Sequence, residues 1–153
     1  ETGIAHLANR SPYALSAGQQ QRVAIASVLV MQPQVLLLDE PTSQLDPVGT
    51  REVFATVRSL SRRGITVVMA EHKLEWVASF ADRVVLLDRG RVVLDGSPSE
   101  VLTSPLLALH QLSGTRYTLA ALGAAERGLW PSQRSLPVTL DQAVEGFRDV
   151  GGA

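Results

Sequence analysis

The chain has 153 residues, of which 45% are hydrophobic and 19% charged, with a formal net charge of −1 and no cysteine. That is enough apolar content to bury one domain core, the charge balance offers no bulk attraction to nucleic acid or acidic lipid, and disulfides, thiolate metal sites and thiol catalysis are excluded. No apolar run approaches the ~20 residues of a bilayer-spanning helix, and the first residues carry neither the basic segment nor the apolar core of a signal peptide.

Residues 1–13 lack a start methionine, mix polar and apolar types and include Ser11-Pro12, so they read as the tail of an upstream segment feeding a loop. Chemistry begins at Leu15-Ser16-Ala17-Gly18-Gln19-Gln20-Gln21-Arg22. Ser16 followed three residues later by Gln19 matches a capping box, which satisfies the orphan amides of a helix start. Ala17 and Gly18 are small, so an anion can approach the backbone N–H groups and the positive end of the helix dipole, with the Ser16 hydroxyl as a further donor. Taken alone, Ser-x-x-Gln is ordinarily only a cap. A helix is predicted over residues 17–31, with Val23, Ala24, Ala26, Ser27 and Val30 on its apolar to small face, ending at Gln32-Pro33.

The apolar run over residues 35–38 predicts a strand covered on both faces, as in a parallel sheet. Asp39 and Glu40 follow at its carboxyl end, where open α/β sheets gather ligands. Successive strand residues face opposite ways, so the two acids can divide the work. Asp39 suits a Mg²⁺ ion, bound directly or through water, and Glu40 suits orientation or deprotonation of an attacking water. The bland alternative is a solvated Asp-Glu-Pro turn.

Asp46-Pro47 supplies an acidic cap and a proline at the first helical position. Val53, Phe54, Val57 and Leu60 recur at helical spacing, Gly64 is placed to stop the helix, and residues 65–70 form a second apolar run. Strand, helix, strand in this order implies a parallel pair. His72 lies just past the second strand, at the end that carries Asp39 and Glu40. Imidazole there suits contact with a terminal phosphate, although a lone histidine in such a turn is more often a cap or a surface residue.

Leu74, Val77, Ala78 and Phe80 mark a short amphipathic helix with Trp76 at its rim. The runs 83–87 and 91–94, joined by Asp88-Arg89-Gly90, read as a hairpin, and Ser97-Pro98-Ser99-Glu100 starts another helix with cap, N1 proline and N3 glutamate. Beyond Gly114, residues 119–122 and 140–147 have helical character, and Gly151-Gly152-Ala153 reads as a frayed end or the start of a linker.

Residues 15–22, the strand ending in Asp39-Glu40, and the loop from Ser43 to Asp46 resemble, in order and spacing, the signature, Walker B and D-loop motifs of the ATP-binding cassette (ABC) ATPases. Glu71-His72 falls at that family's switch histidine. The signature departs from the usual form in one place, where Ala17 replaces the first of two glycines. The details around Glu71-His72-Lys73, and the passage from Ala81 through Gly96-Ser97-Pro98 to Leu102, look most like the cobalt-type and energy-coupling-factor importers of vitamins and metal ions. The resemblance implies an α/β fold: a P-loop NTPase (RecA-like) core with a parallel sheet, incomplete at its N-terminus, plus the end of the ABC helical subdomain. It places residues 1–112 in a partial ABC domain and leaves 113–153 as a C-terminal extension, helical or mobile.

By the same resemblance, ATP is the nucleotide and Mg²⁺ the metal, held by Asp39 through water. Glu40 acts on water and His72 contacts the γ-phosphate. Ser16, Ala17, Gly18, Gln19 and the D-loop Asp46 bind nucleotide in trans, across a head-to-tail dimer with a second ABC subunit or domain. Transmembrane permease subunits are the implied partners, the cytoplasmic face of the plasma membrane is the implied location, and no nucleic acid is expected. The sequence contains no Gly-x-x-x-x-Gly-Lys-Ser/Thr phosphate loop, so it looks like the C-terminal part of an ATPase, expected to be inactive alone. Two other readings stay open on the sequence: a soluble ABC ATPase of DNA repair, chromosome maintenance or translation, and a catalytically incomplete dimerisation piece.

Overall fold

A computed structural model describes residues 2–148; the Gly151-Gly152-Ala153 stretch lies outside them. The chain divides into two compact units, the first ending at His72 and the second beginning at Lys73.

In the first unit, short 3-10 turns at Ala5–Leu7 and Pro12–Ala14 lead to helix α1, Ala17–Leu29. Strand β1, Val35–Asp39, helix α2, Pro47–Ser61, and strand β2, Thr66–Ala70, follow. The two strands pair in parallel, with Val35 opposite Thr66 and Asp39 opposite Ala70. Helix α2 starts at an Asp46 cap with Pro47 inside it. It ends in a Schellman turn, in which the Gly64 amide donates to Ser61 and the Ile65 amide to Leu60, with Gly64 at φ +89°. This stop delivers Ile65 into the core and turns the chain into β2.

The core joins Ile25 of α1, Leu36 of β1 and Val53, Val57 and Leu60 of α2, with Val28, Leu29, Leu38, Leu45, Ile65 and Val67 packed against it. Two expectations are corrected here. The buried side of α1 is the stripe through Gly18, Ile25, Val28 and Leu29, not the face through Ala24, Ser27 and Val30, which are exposed. Among the described residues strand β1 is covered on one face only: Leu36 is buried, whereas Val35 is 54% and Leu37 73% exposed. The physical reason is period two. Helices pack against the face that carries Leu36 and Leu38, and the alternate residues of β1 and β2 point away from it.

In the second unit, helix α3, Leu74–Phe80, precedes an antiparallel hairpin of β3, Val84–Asp88, and β4, Arg91–Gly96. The turn puts Arg89 at φ 47° and Gly90 at φ 75°, the pair of left-handed residues that a two-residue hairpin turn requires. Arg83 grips Asp95 with two parallel bonds of 2.7 and 2.6 Å and holds that carboxyl below the usual carboxylate range. Helix α4, Pro98–Leu102, opens with the complete Ser97/Glu100 capping box and packs on the hairpin and on α3.

Helices α5, Leu106–Leu109, α6, Arg116–Ala125, and α7, Leu140–Arg148, complete the unit. Within the described residues after Gly114 several side chains pack together. Ala121, Trp130 and Val138 are buried, Trp130 meets Phe147 edge-on at 5.0 Å, and the Thr118 hydroxyl donates to the Pro137 carbonyl at 2.8 Å. Gly146 is required there, since a methyl group at that position would fall 2.1 Å from the Trp130 ring.

Candidate nucleotide site

The signature stretch folds as its residues dictate. Ser16 sits in extended conformation before α1, the Gln19 amide donates to its hydroxyl at 3.3 Å, and the Ser16 amide donates to the Gln19 side-chain carbonyl at 3.1 Å. The Asp46 carboxylate caps α2 in the same manner, accepting from the Gly49 amide at 2.7 Å. The two helix starts lie against each other. A Cβ on Gly18 would come within 3.2 Å of the Gly49 Cα, tighter than ordinary contact, so a small residue at position 18 lets the backbones approach, while a Cβ on Gly49 would crowd the Asp46 cap at 3.1 Å. Gly18 thus answers two demands, room for an anion and packing on Gly49, and the second is not visible from a single chain position.

This close approach makes a concave surface of about 430 Å³. Ser16, Ala17, Gly18, Gln19 and Asp46 all line it, together with Arg22, Gln44 and Glu52. Two capped helix N-termini therefore border one opening; the start of α1, capped by a neutral hydroxyl, keeps a field that favours anions, whereas the start of α2 is already met by the Asp46 carboxylate. Arg22 bonds Glu52 across the helices at 3.0 Å and offsets the negative charge of that carboxylate. Arg22, Glu52 and Gly49 were not singled out from the sequence as site residues, because their partners lie on another element.

The remaining predicted residues gather elsewhere in the same unit. Asp39 ends β1 directly opposite Ala70, and Glu40 continues the ladder by donating its amide to the Ala70 carbonyl at 3.0 Å. Asp39, Glu40 and His72 thus stand at one rim of the strand pair, all exposed, and none of the three lines the concavity between the helix starts. Glu40 adopts φ 41°, the left-handed region, which for a residue other than glycine costs about 1–2 kcal/mol. Its carbonyl accepts from the Ser43 amide at 3.2 Å and the Ser43 hydroxyl at 3.1 Å. The backbone is pinned on both sides while the carboxylate faces solvent.

Two further residues join that rim. The Thr42 hydroxyl, fully buried, donates to the Glu71 carboxylate, whose second oxygen accepts from the His72 amide at 2.9 Å. Among the described residues no cluster of three metal-ligating side chains occurs. Asp39 is a single hard-oxygen donor, which fits Mg²⁺ in the mode in which that ion keeps most of its waters and shares substrate phosphates.

Comparison with known proteins defines the class. Residues 1–43 match the family model for the ABC transporter. The energy-coupling factor transporter ATP-binding protein EcfA2 of Streptococcus sanguinis (strain SK36) is 44% identical over 140 residues, 91% of this chain and 50% of that protein. Its counterpart in Streptococcus pyogenes serotype M28 is 41% identical over 141 residues, 92% and 50% of the two chains. Among solved structures, cbiO1 from Clostridium perfringens, part of the ABC transporter complex cbiONQ, superposes with a TM-score of 0.64 at 38% identity, covering 82% of this chain and 49% of its own. The ADP conformation of an ATP-binding cassette of an ABC transporter gives 0.64 at 29% identity, covering 68% and 42%.

Over 91% of its length the chain is similar to ATP-binding subunits of ABC transporters, those of the EcfA2 and cbiO type, and its α/β architecture with a parallel strand pair is part of their fold. The chain spans about half the length of the curated relatives it matches. Among the described residues no helix is long and apolar enough to cross a membrane.

Proposed function

We propose that this chain is part of an ATP-hydrolysing subunit of an ABC transporter of the energy-coupling-factor type, working peripherally at the cytoplasmic face of the membrane through permease partners. The observation that carries the reading is the division of the predicted residues into two groups. One group borders a concave surface between two capped helix starts; the other stands at a strand-end rim. That is the separation expected if the first serves a neighbouring subunit's nucleotide and the second serves the subunit's own.

In this reading Ser16 offers its hydroxyl, and the N-terminus of α1 its field, to the γ-phosphate of an ATP held by the opposing subunit. Asp46 fixes the start of α2 beside it. At the rim, Asp39 would hold Mg²⁺, which would supply neutralisation of phosphate charge when bound. Glu40, whose side chain is exposed, orients and takes a proton from the attacking water. His72 contacts the γ-phosphate. Vitamin or metal-ion import is the proposed transport role, on the likeness to the EcfA2 and cbiO proteins.

The test is Glu40→Gln in the assembled ATPase. Turnover should fall by about 10² or more, as for removal of a general base, while ATP binding persists and nucleotide becomes trapped as ATP. Normal turnover in that variant would overturn the assignment.

A further inference from the structure

We propose that Glu71 is a positioning residue that ties the turn carrying Glu40 to the turn carrying His72. The inference rests on the reading above for its functional meaning, though its geometry stands without it. Strands β1 and β2 stay in register up to Asp39 and Ala70, and the Glu40 amide adds one more rung to the Ala70 carbonyl at 3.0 Å. Past that rung the chains diverge into two turns, each bearing one of the exposed groups at the rim. Glu71 continues the link with its side chain. One carboxylate oxygen accepts the Thr42 hydroxyl, from the turn after β1, and the other accepts the His72 amide at 2.9 Å.

The placement suits a carboxylate. It has two acceptor oxygens and no donor, matching an O–H and an N–H that both need acceptors. Thr42 is fully buried, so its hydroxyl requires a partner inside the protein. Because Thr42 lies two residues after Glu40 and Glu71 one residue before His72, a shift in either turn moves through the bridge to the other. The distance between the water-activating carboxylate and the imidazole is thereby set by a side chain that touches neither substrate nor metal.

The experiment compares Glu71→Ala, Thr42→Val, Thr42→Ser and the Glu71→Ala/Thr42→Val double variant in the assembled ATPase, with Glu40→Gln as reference. Glu71→Ala and Thr42→Val should each lower kcat by about ten- to a hundredfold, the scale of a misplaced catalytic group, with KM for ATP nearly unchanged. The double variant should be no worse than either single one, and Thr42→Ser, which keeps the hydroxyl, should restore turnover. Hydrogen exchange supplies a readout independent of turnover: Glu71→Ala should speed exchange over both 42–43 and 71–73. Unchanged kcat, multiplying losses in the double variant, failure of Thr42→Ser to rescue, or faster exchange in one turn alone would each overturn the proposal. Retained turnover in Glu40→Gln would instead sink the functional reading, leaving the exchange experiment to decide the bridge.

Discussion

Replacing Glu40 with glycine should abolish turnover without weakening the fold. Glu40 holds φ 41° with its side chain exposed. A left-handed conformation costs an L-residue roughly 1–2 kcal/mol, which glycine avoids. Against that, glycine gives up roughly 0.5–1 kcal/mol through its greater freedom in the unfolded chain. The net expectation is a stability between unchanged and about 1.5 kcal/mol higher, a rise in Tm of up to a few degrees for a chain of this size. Glu52→Gly is the control: it places glycine inside α2, at a loss of about 1 kcal/mol, and also removes the partner of Arg22. Urea denaturation of both variants, read beside ATPase rates, separates the cases. If Glu40→Gly unfolds at clearly lower urea than the parent, its side chain supports the fold and the strain at this position has no functional meaning. If it still turns over ATP, the catalytic assignment fails.

Asp46→Ala should lose about 1 kcal/mol by removing the 2.7 Å cap on Gly49, whereas Asp46→Asn keeps the acceptor and should stay close to the parent in urea denaturation. Gly146→Ala should be destabilising by about 1–3 kcal/mol or more through overpacking, because the new methyl would fall 2.1 Å from the Trp130 ring; a changed near-UV tryptophan spectrum would accompany the loss. Burial pushes the Glu75 carboxyl up, but the Arg116 side-chain and backbone bonds outweigh it and hold the folded-state value below the ordinary 4.5. Its contribution is therefore present above about pH 4.5 and lost as pH falls through the lower folded value. Glu75→Gln should flatten that part of the stability curve, and an unchanged acid slope would refute the pairing.

What was legible in the sequence was local. The caps at Ser16, Asp46 and Ser97 each involve residues three apart, and all three form as read. The parallel pairing of β1 with β2 followed from the strand, helix, strand order, and the stop at Gly64 followed from its position after α2. Contacts between distant segments were not legible. Glu71 and Thr42 are 29 residues apart, and nothing in either neighbourhood signals the other. The buried face of α1 was misread for a related reason. Val23, Ala24, Ile25, Ala26, Val28, Leu29 and Val30 leave little polar contrast around the helix, so several stripes fit the periodicity equally well. The contact between Gly18 and Gly49 decides among them, because it fixes which side of α1 can approach α2. Burial of β1 on both faces was inferred from apolarity alone, which does not distinguish a covered residue from an exposed one such as Leu37.

The most direct measurement uses mixed dimers in which one subunit carries Ser16→Arg and the other is unaltered, with nucleotide occlusion followed separately at each subunit's phosphate-binding half. Occlusion should fail at the unaltered subunit's nucleotide and persist at that of the altered one. Failure at the altered subunit's own nucleotide instead would contradict a signature helix that completes its neighbour's site.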